Sequence, residues 1–226
     1  MSALDDHALA ADLAERAGHL LLTLRARGGD PDALRNAGDR QSHEFLMAEL
    51  ARERPGDAVL SEEGVDDKER LTADRVWIVD PLDGTREFGD PGRTDWAVHV
   101  ALWSRNASAP EEQWSESRTA AAETGELIAG AIALPAQERV LATVAGESLQ
   151  TDESAERPDR RGDFRRPSEG APAEISPGPG AQPPLRMVVS RSRASDLVKD
   201  VAKRLSADLV PCGSAGAKVA TVVLGE

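Results

Sequence analysis

Apolar residues recur along the start of the chain at helical spacing. Leu9, Leu13, Ala17, Leu20, Leu21 and Leu24 form one face of an amphipathic helix over residues 3–26, which Gly28-Gly29 stops. Phe45, Leu46 and Leu50 mark a second helix over residues 40–54, ended by Pro55-Gly56. The apolar period then shortens. Residues 59–60 and 76–79 read as short strands and residues 96–102 as a longer one. Residues 128–134 and 140–144 read as a hairpin turned near Pro135. A further strand is expected at residues 185–189, with helices over about residues 194–205 and 215–224. Two stretches break the pattern. Residues 104–125 are rich in Glu, Ser and Ala. Residues 146–184 are rich in Pro, Gly, Asp, Glu and Arg; their few large apolar side chains do not offset the entropy of ordering, which predicts a mobile surface loop.

At 226 residues, with 40% hydrophobic and 30% charged positions, the chain is long enough to bury a substantial core. Its net charge of −13 argues against nucleic-acid polymers and anionic membranes as partners, because both require a basic face. It leaves room for an anionic substrate, since bound cations invert the local field. A single cysteine, Cys212, permits no internal disulfide and reads as a small buried residue. The N-terminus is acidic and unlike a signal peptide, and no apolar run reaches membrane-spanning length, so a cytoplasmic protein is expected.

The chemistry concentrates in Asp80-Pro81-Leu82-Asp83-Gly84-Thr85, which follows the apolar run Trp77-Ile78-Val79. Asp then Pro favours a tight turn, which would bring Asp80 and Asp83 to one side with the Leu82 carbonyl. Carboxylates and a carbonyl are the ligands Mg²⁺ prefers. Gly84 permits close approach of a ligand, and Thr85 is placed to open a helix whose N–H groups hold a phosphate. An isolated Asp-x-x-Asp-Gly is more often a solvated turn. Here a buried strand leads into it, and a second acidic pair, Glu62-Glu63, follows the strand at residues 58–60. Asp39 reads most simply as a helix N-cap. Trp77, Trp96 and Trp103 read as core, and His99 as a satisfied core histidine. His7, His19 and His43 lie on helices without ligand spacing.

Four segments together carry a resemblance: Gly38-Asp39-Arg40-Gln41, Leu60-Ser61-Glu62-Glu63, Asp80 through Thr85, and Gly213-Ser214-Ala215-Gly216. They resemble the inositol monophosphatase superfamily of metal-dependent phosphomonoesterases. The following Arg86-Glu87-Phe88 is similar to the Lys/Arg-Glu-Phe of the CysQ-type 3'(2'),5'-bisphosphate nucleotidases of actinobacteria, where inositol-type members carry Thr-Asn-Phe. The resemblance implies an α/β fold, a layered α-β-α-β-α sandwich as in sugar and nucleotide phosphatases. Residues 1–126 would form a metal-binding part and residues 127–226 a substrate-contacting part. It implies Mg²⁺ held by Glu62, Asp80, the Leu82 carbonyl and Asp83, with Glu62, Asp39 and Thr85 as catalytic residues. Asp39 and Thr85 would orient the attacking water. Gly84 and Thr85 would bind phosphate, Gly213, Ser214 and Ala215 would contact the rest of the substrate, and Glu63 would play a supporting role. The implied activity is removal of the 3'-phosphate of adenosine 3',5'-bisphosphate or its phosphosulfate form, in sulfate assimilation and with sensitivity to Li⁺. Inositol monophosphate or fructose 1,6-bisphosphate hydrolysis is the alternative, and a homodimer is compatible with the superfamily.

The family's second signature, Trp-Asp-x-Ala-Ala, supplies a further metal ligand and does not occur between Met1 and Glu226. Asp196, Asp200 and Asp208 all precede the Gly213-Ser214 segment and do not replace it. Three readings follow: a fragment of a longer enzyme, a truncated product with an impaired metal site, or a non-catalytic phosphate- or metal-binding remnant.

Overall fold

The computed structural model describes residues 4–65, 67–105, 125–144 and 184–225. The expected mobile loop at 146–184 and most of the 104–125 stretch lie outside the described residues. The elements are α1 (Asp6–Ala26), α2 (Pro31–Glu53), β1 (Ala58–Ser61), β2 (Arg75–Asp83), α3 (Thr85–Gly89), β3 (Ala97–Arg105), β4 (Gly125–Leu134), β5 (Arg139–Ala142), β6 (Arg186–Ser190), α4 (Asp196–Leu205), β7 (Asp208–Cys212) and α5 (Ala215–Leu224). Single 3-10 turns occur at Lys68–Leu71 and Pro135–Gln137.

Strands β1 to β5 form one sheet in sequence order. The β1–β2 pair is parallel and the rest are antiparallel, while β6 and β7 form a separate parallel pair. Between its register shifts the sheet separates its faces by alternation. Trp77, Val79, Val98, Val100, Leu102, Ala129, Ala131 and Ala133 pack against the stripe of α1 and α2 that contains Leu9, Leu13, Leu21, Leu46 and Leu50. On the opposite face, Ala97, Ile132 and Leu134 meet Ala217 and Ala220 of α5, together with Cys212 and Val188 of the second sheet. α4 packs on β7. The result is the expected layered α/β arrangement, with helices on both faces of the main sheet. The sequence division at 126/127 falls within β4, and the second sheet starts at β6.

Several details depart from the sequence reading. α2 starts at Pro31, with the Asp30 side chain accepting from the Ala33 amide at 2.9 Å. The cap is therefore Asp30 followed by Pro at the first helical position, a strong start signal. Asp39 is consequently not an N-cap but a residue two turns inside the helix. Strand β7 was not expected. Its Pro211 is tolerated because a two-stranded sheet consists only of edges. Trp77 and Trp96 are fully buried, but Trp103 is only partly so and lies beneath the Arg105 guanidinium, 5.6 Å from its ring centre.

Candidate active site

The Asp80–Asp83 segment is not a tight turn. It is the end of β2, continued through a bulge: Asp80 stands opposite His99 and Asp83 opposite Ala97, so β2 spends one more residue than β3. Proline is accepted there because the ladder is already interrupted. The displaced backbone is satisfied locally. Leu82 N donates to Asp80 Oδ1 at 3.1 Å, and the buried Ser42 hydroxyl of α2 donates to the Pro81 carbonyl at 2.8 Å. The bulge sends the Leu82 side chain into the core and brings Asp80 and Asp83 to the face turned toward α5.

Gly84, at φ 88°, then reverses the chain into α3. Thr85 Oγ1 lies 3.3 Å from Asp39 Oδ1 and 3.2 Å from the Leu82 carbonyl. α2 approaches this corner closely because position 38 is glycine. A Cβ there would stand 2.7 Å from Phe88 and 2.9 Å from Leu82, and the next residue is Asp39.

The second half of the site comes from the loop between β7 and α5. Gly216 N donates to Asp83 Oδ2 at 2.7 Å, and Gly213 N donates to Asp95 Oδ2 at 2.6 Å. The Ser214 side chain is buried and caps α5 by accepting from Ala217 N at 2.8 Å, so it is occupied within the protein. Ala215 lines a cavity of about 510 Å³ together with Glu62, Asp80, Asp83 and His99. Glu62 and Glu63 are exposed at the end of β1, where the Glu62 amide donates to the Val79 carbonyl.

Two residues at this site escaped the sequence reading. His99 is not a core histidine: its ring is half-buried in the cavity wall, with Nε2 2.9 Å from Asp83 Oδ2. Asp95 holds the Gly213 loop from its side chain and, through its carbonyl, from Ser214 N. Glu87, from the Arg86-Glu87-Phe88 segment, is buried and pairs with Arg191 at 2.6 Å, so it links α3 to the end of β6.

The electrostatics show an excess of negative charge. Burial and the charges of Glu62 and Asp83 push the Asp80 carboxyl up to about 7. Burial and the charge of Glu63 raise Asp39 to about 6, against the opposing hydrogen bond from Thr85. Burial alone would raise Asp83 too, but the His99 and Gly216 donors outweigh it and hold it below the ordinary carboxylate value. Asp80, Asp83 and His99 each present a ligand atom within 4.8 Å of the others. A pocket whose hard oxygen donors lack enough positive charge fits a divalent cation.

Comparison with known proteins identifies the family. Residues 8–108 match the inositol monophosphatase family. The chain is 42% identical to the 3'-phosphoadenosine 5'-phosphate phosphatase of Mycobacterium leprae over 225 residues, covering 99% of this chain and 70% of that protein. It is 43% identical to the protein of the same name from Mycobacterium tuberculosis over 211 residues, covering 92% of this chain and 64% of the relative. The chain thus spans about two thirds of the length of these relatives. The crystal structure of CysQ from Bacteroides thetaiotaomicron superposes with a TM-score of 0.62 at 25% identity, over 96% of this chain and 76% of that one. The chain belongs to the inositol monophosphatase family, a metal-dependent group. Among the described residues no helix is long and apolar enough to cross a membrane.

Proposed function

We propose that this protein is a Mg²⁺-dependent phosphomonoesterase that removes the 3'-phosphate of adenosine 3',5'-bisphosphate and of its 5'-phosphosulfate form, a reaction that serves sulfate assimilation. The observation that carries the reading is the convergence of the β2 bulge, Thr85 with Asp39, and the β7–α5 loop around one acidic cavity. The choice of substrate is supported by the identity to relatives named 3'-phosphoadenosine 5'-phosphate phosphatases.

In this reading Glu62, Asp80, the Leu82 carbonyl and Asp83 hold Mg²⁺, which when bound neutralises charge on the phosphoryl oxygens and acidifies water. The remaining work belongs to the chain. The Gly84 and Thr85 amides hold the phosphate, and Gly213 and Ala215 border the nucleoside. The Thr85 hydroxyl donates to Asp39 and accepts from the attacking water, fixing its line of approach. As the water oxygen bonds to phosphorus, the bond to the ribose 3'-oxygen breaks. The water's proton passes through Thr85 Oγ1 to Asp39, and the departing oxygen takes a proton from solvent. A carboxyl held at about 6 is ionised at neutral pH and still basic enough for this task. The test is a substrate panel assayed for phosphate release in Mg²⁺. Faster turnover of adenosine 3',5'-bisphosphate than of inositol 1-phosphate or fructose 1,6-bisphosphate is expected. The reverse order would overturn the substrate assignment.

A further inference from the structure

We propose that His99 is a positioning residue for the cation-binding carboxylates: it fixes the plane of Asp83 from the sheet side while α5 fixes it from the other. This inference rests on the reading of Asp80 and Asp83 as cation ligands.

The fold determines where His99 can point. Residues 98, 100 and 102 of β3 are fully buried against α1 and α2, so the alternate positions 97, 99 and 101 face the other way. The register places His99 directly opposite Asp80, and the bulge brings Asp83 over the same strand. His99 Nε2 and Gly216 N both reach Asp83 Oδ2, at 2.9 and 2.7 Å. Two donors on one oxygen restrain both the torsion and the plane of the carboxylate.

The ring is itself held. A Cβ at position 216 would stand 2.5 Å from both Cε1 and Nε2 of His99. Glycine at position 216 therefore lets the first turn of α5 pack against the imidazole where it stands, on the side opposite the strand. An ionised carboxylate only accepts hydrogen bonds, so the Nε2 facing it carries the hydrogen. That nitrogen has no lone pair left for a cation, so at its contact with Asp83 the ring supports a ligand and does not bind through Nε2. Loss of comparable supports typically weakens metal binding about 10- to 100-fold.

The test titrates Mn²⁺, as a stand-in for Mg²⁺, into the wild-type chain, His99→Leu and His99→Gln, by calorimetry and by electron paramagnetic resonance. Leucine fills the same space without a donor, and glutamine restores an N–H at similar reach. The Leu variant should bind about 10- to 100-fold more weakly and the Gln variant nearly as tightly as wild type. The bound-ion spectrum of the wild type should show no directly coordinated nitrogen. Melting in chelator reports folding; if the Leu variant does not fold, His99→Asn, whose amide falls short of Asp83, replaces it. Equal binding by the Leu and wild-type chains, failure of Gln to rescue, or a nitrogen coupling from a coordinated ring would each overturn the proposal while leaving the cation site standing. Absence of Mn²⁺ binding by the wild type would overturn the cation reading itself, and the role of His99 with it.

Discussion

The Asp95 carboxylate accepts the Gly213 amide at 2.6 Å across 118 positions of sequence, and so the segment before β3 anchors the loop before α5. Arg93 pairs with the same carboxylate, whose side chain is 13% exposed. Charge-assisted hydrogen bonds in such surroundings contribute about 1.5–3 kcal/mol each. Asp95→Ala should lower stability by about that amount in urea unfolding. It should also raise KM for the nucleotide more than it weakens Mg²⁺ binding, because the loop it holds is the one proposed to border the substrate. Unchanged stability would show that the loop is held elsewhere.

Thr85 is proposed to align the water and pass its proton. Thr85→Val keeps the shape and removes the hydroxyl, so kcat should fall by about 10²- to 10⁴-fold with KM little changed. Thr85→Ser should retain most activity. Steady-state kinetics that placed the defect in KM alone would move Thr85 from the chemical step to binding.

The raised Asp80 carboxyl has a stability consequence with a definite sign. The unfolded chain releases this proton near 3.8, whereas the folded chain keeps it up to about 7. Between those values folding takes up a proton, so without cation stability falls as pH rises, and the penalty is complete above about 7. Asp80→Asn should therefore melt above wild type in chelator at pH 8, with the gain disappearing below about pH 4. The upward shift in melting temperature produced by Mg²⁺ should shrink in the same variant. A variant less stable than wild type in chelator at pH 8 would contradict the charge-excess account.

Asp6 behaves oppositely. Burial would raise its carboxyl, but hydrogen bonds and charges from Arg75 and Arg54 together hold it below its ordinary value. Its contribution is fully present above about pH 4 and is lost as pH falls through the lower folded value. The stability gap between wild type and Asp6→Asn should be constant near neutrality and close on acidification below about pH 4, as followed by denaturant melts at several pH values.

What the sequence could reveal was largely local. The α1 stripe, the hairpin around Pro135 and the helices after residue 194 followed from patterns within each segment. Asp80 and Asp83 were legible because three residues and one bulge bring them together. His99 and Asp95 were not, because their places depend on pairing between β2 and β3 and on the docking of a loop more than a hundred residues away. The sequence pattern alone favoured a cap for Asp39. Only the family resemblance paired Asp39 with Thr85, and the contact itself is helped by Gly38, which lets α2 come close to Phe88 and Leu82. The start of α2 is harder to read for another reason: Asp30-Pro31 is a start signal, but after Leu34 the core-facing positions Ala37, Gly38 and Ser42 are small or polar and do not stand out as an apolar stripe.

The central claim is that the β2 carboxylates and the Thr85–Asp39 pair form a metal-dependent phosphatase site. Its most direct test is phosphate release from adenosine 3',5'-bisphosphate by this chain, with and without Mg²⁺, beside Asp83→Asn. Release that requires Mg²⁺ and is lost in the variant is the predicted result. Release that is independent of Mg²⁺ or survives Asp83→Asn, or no release from a chain that binds Mg²⁺, would contradict the claim.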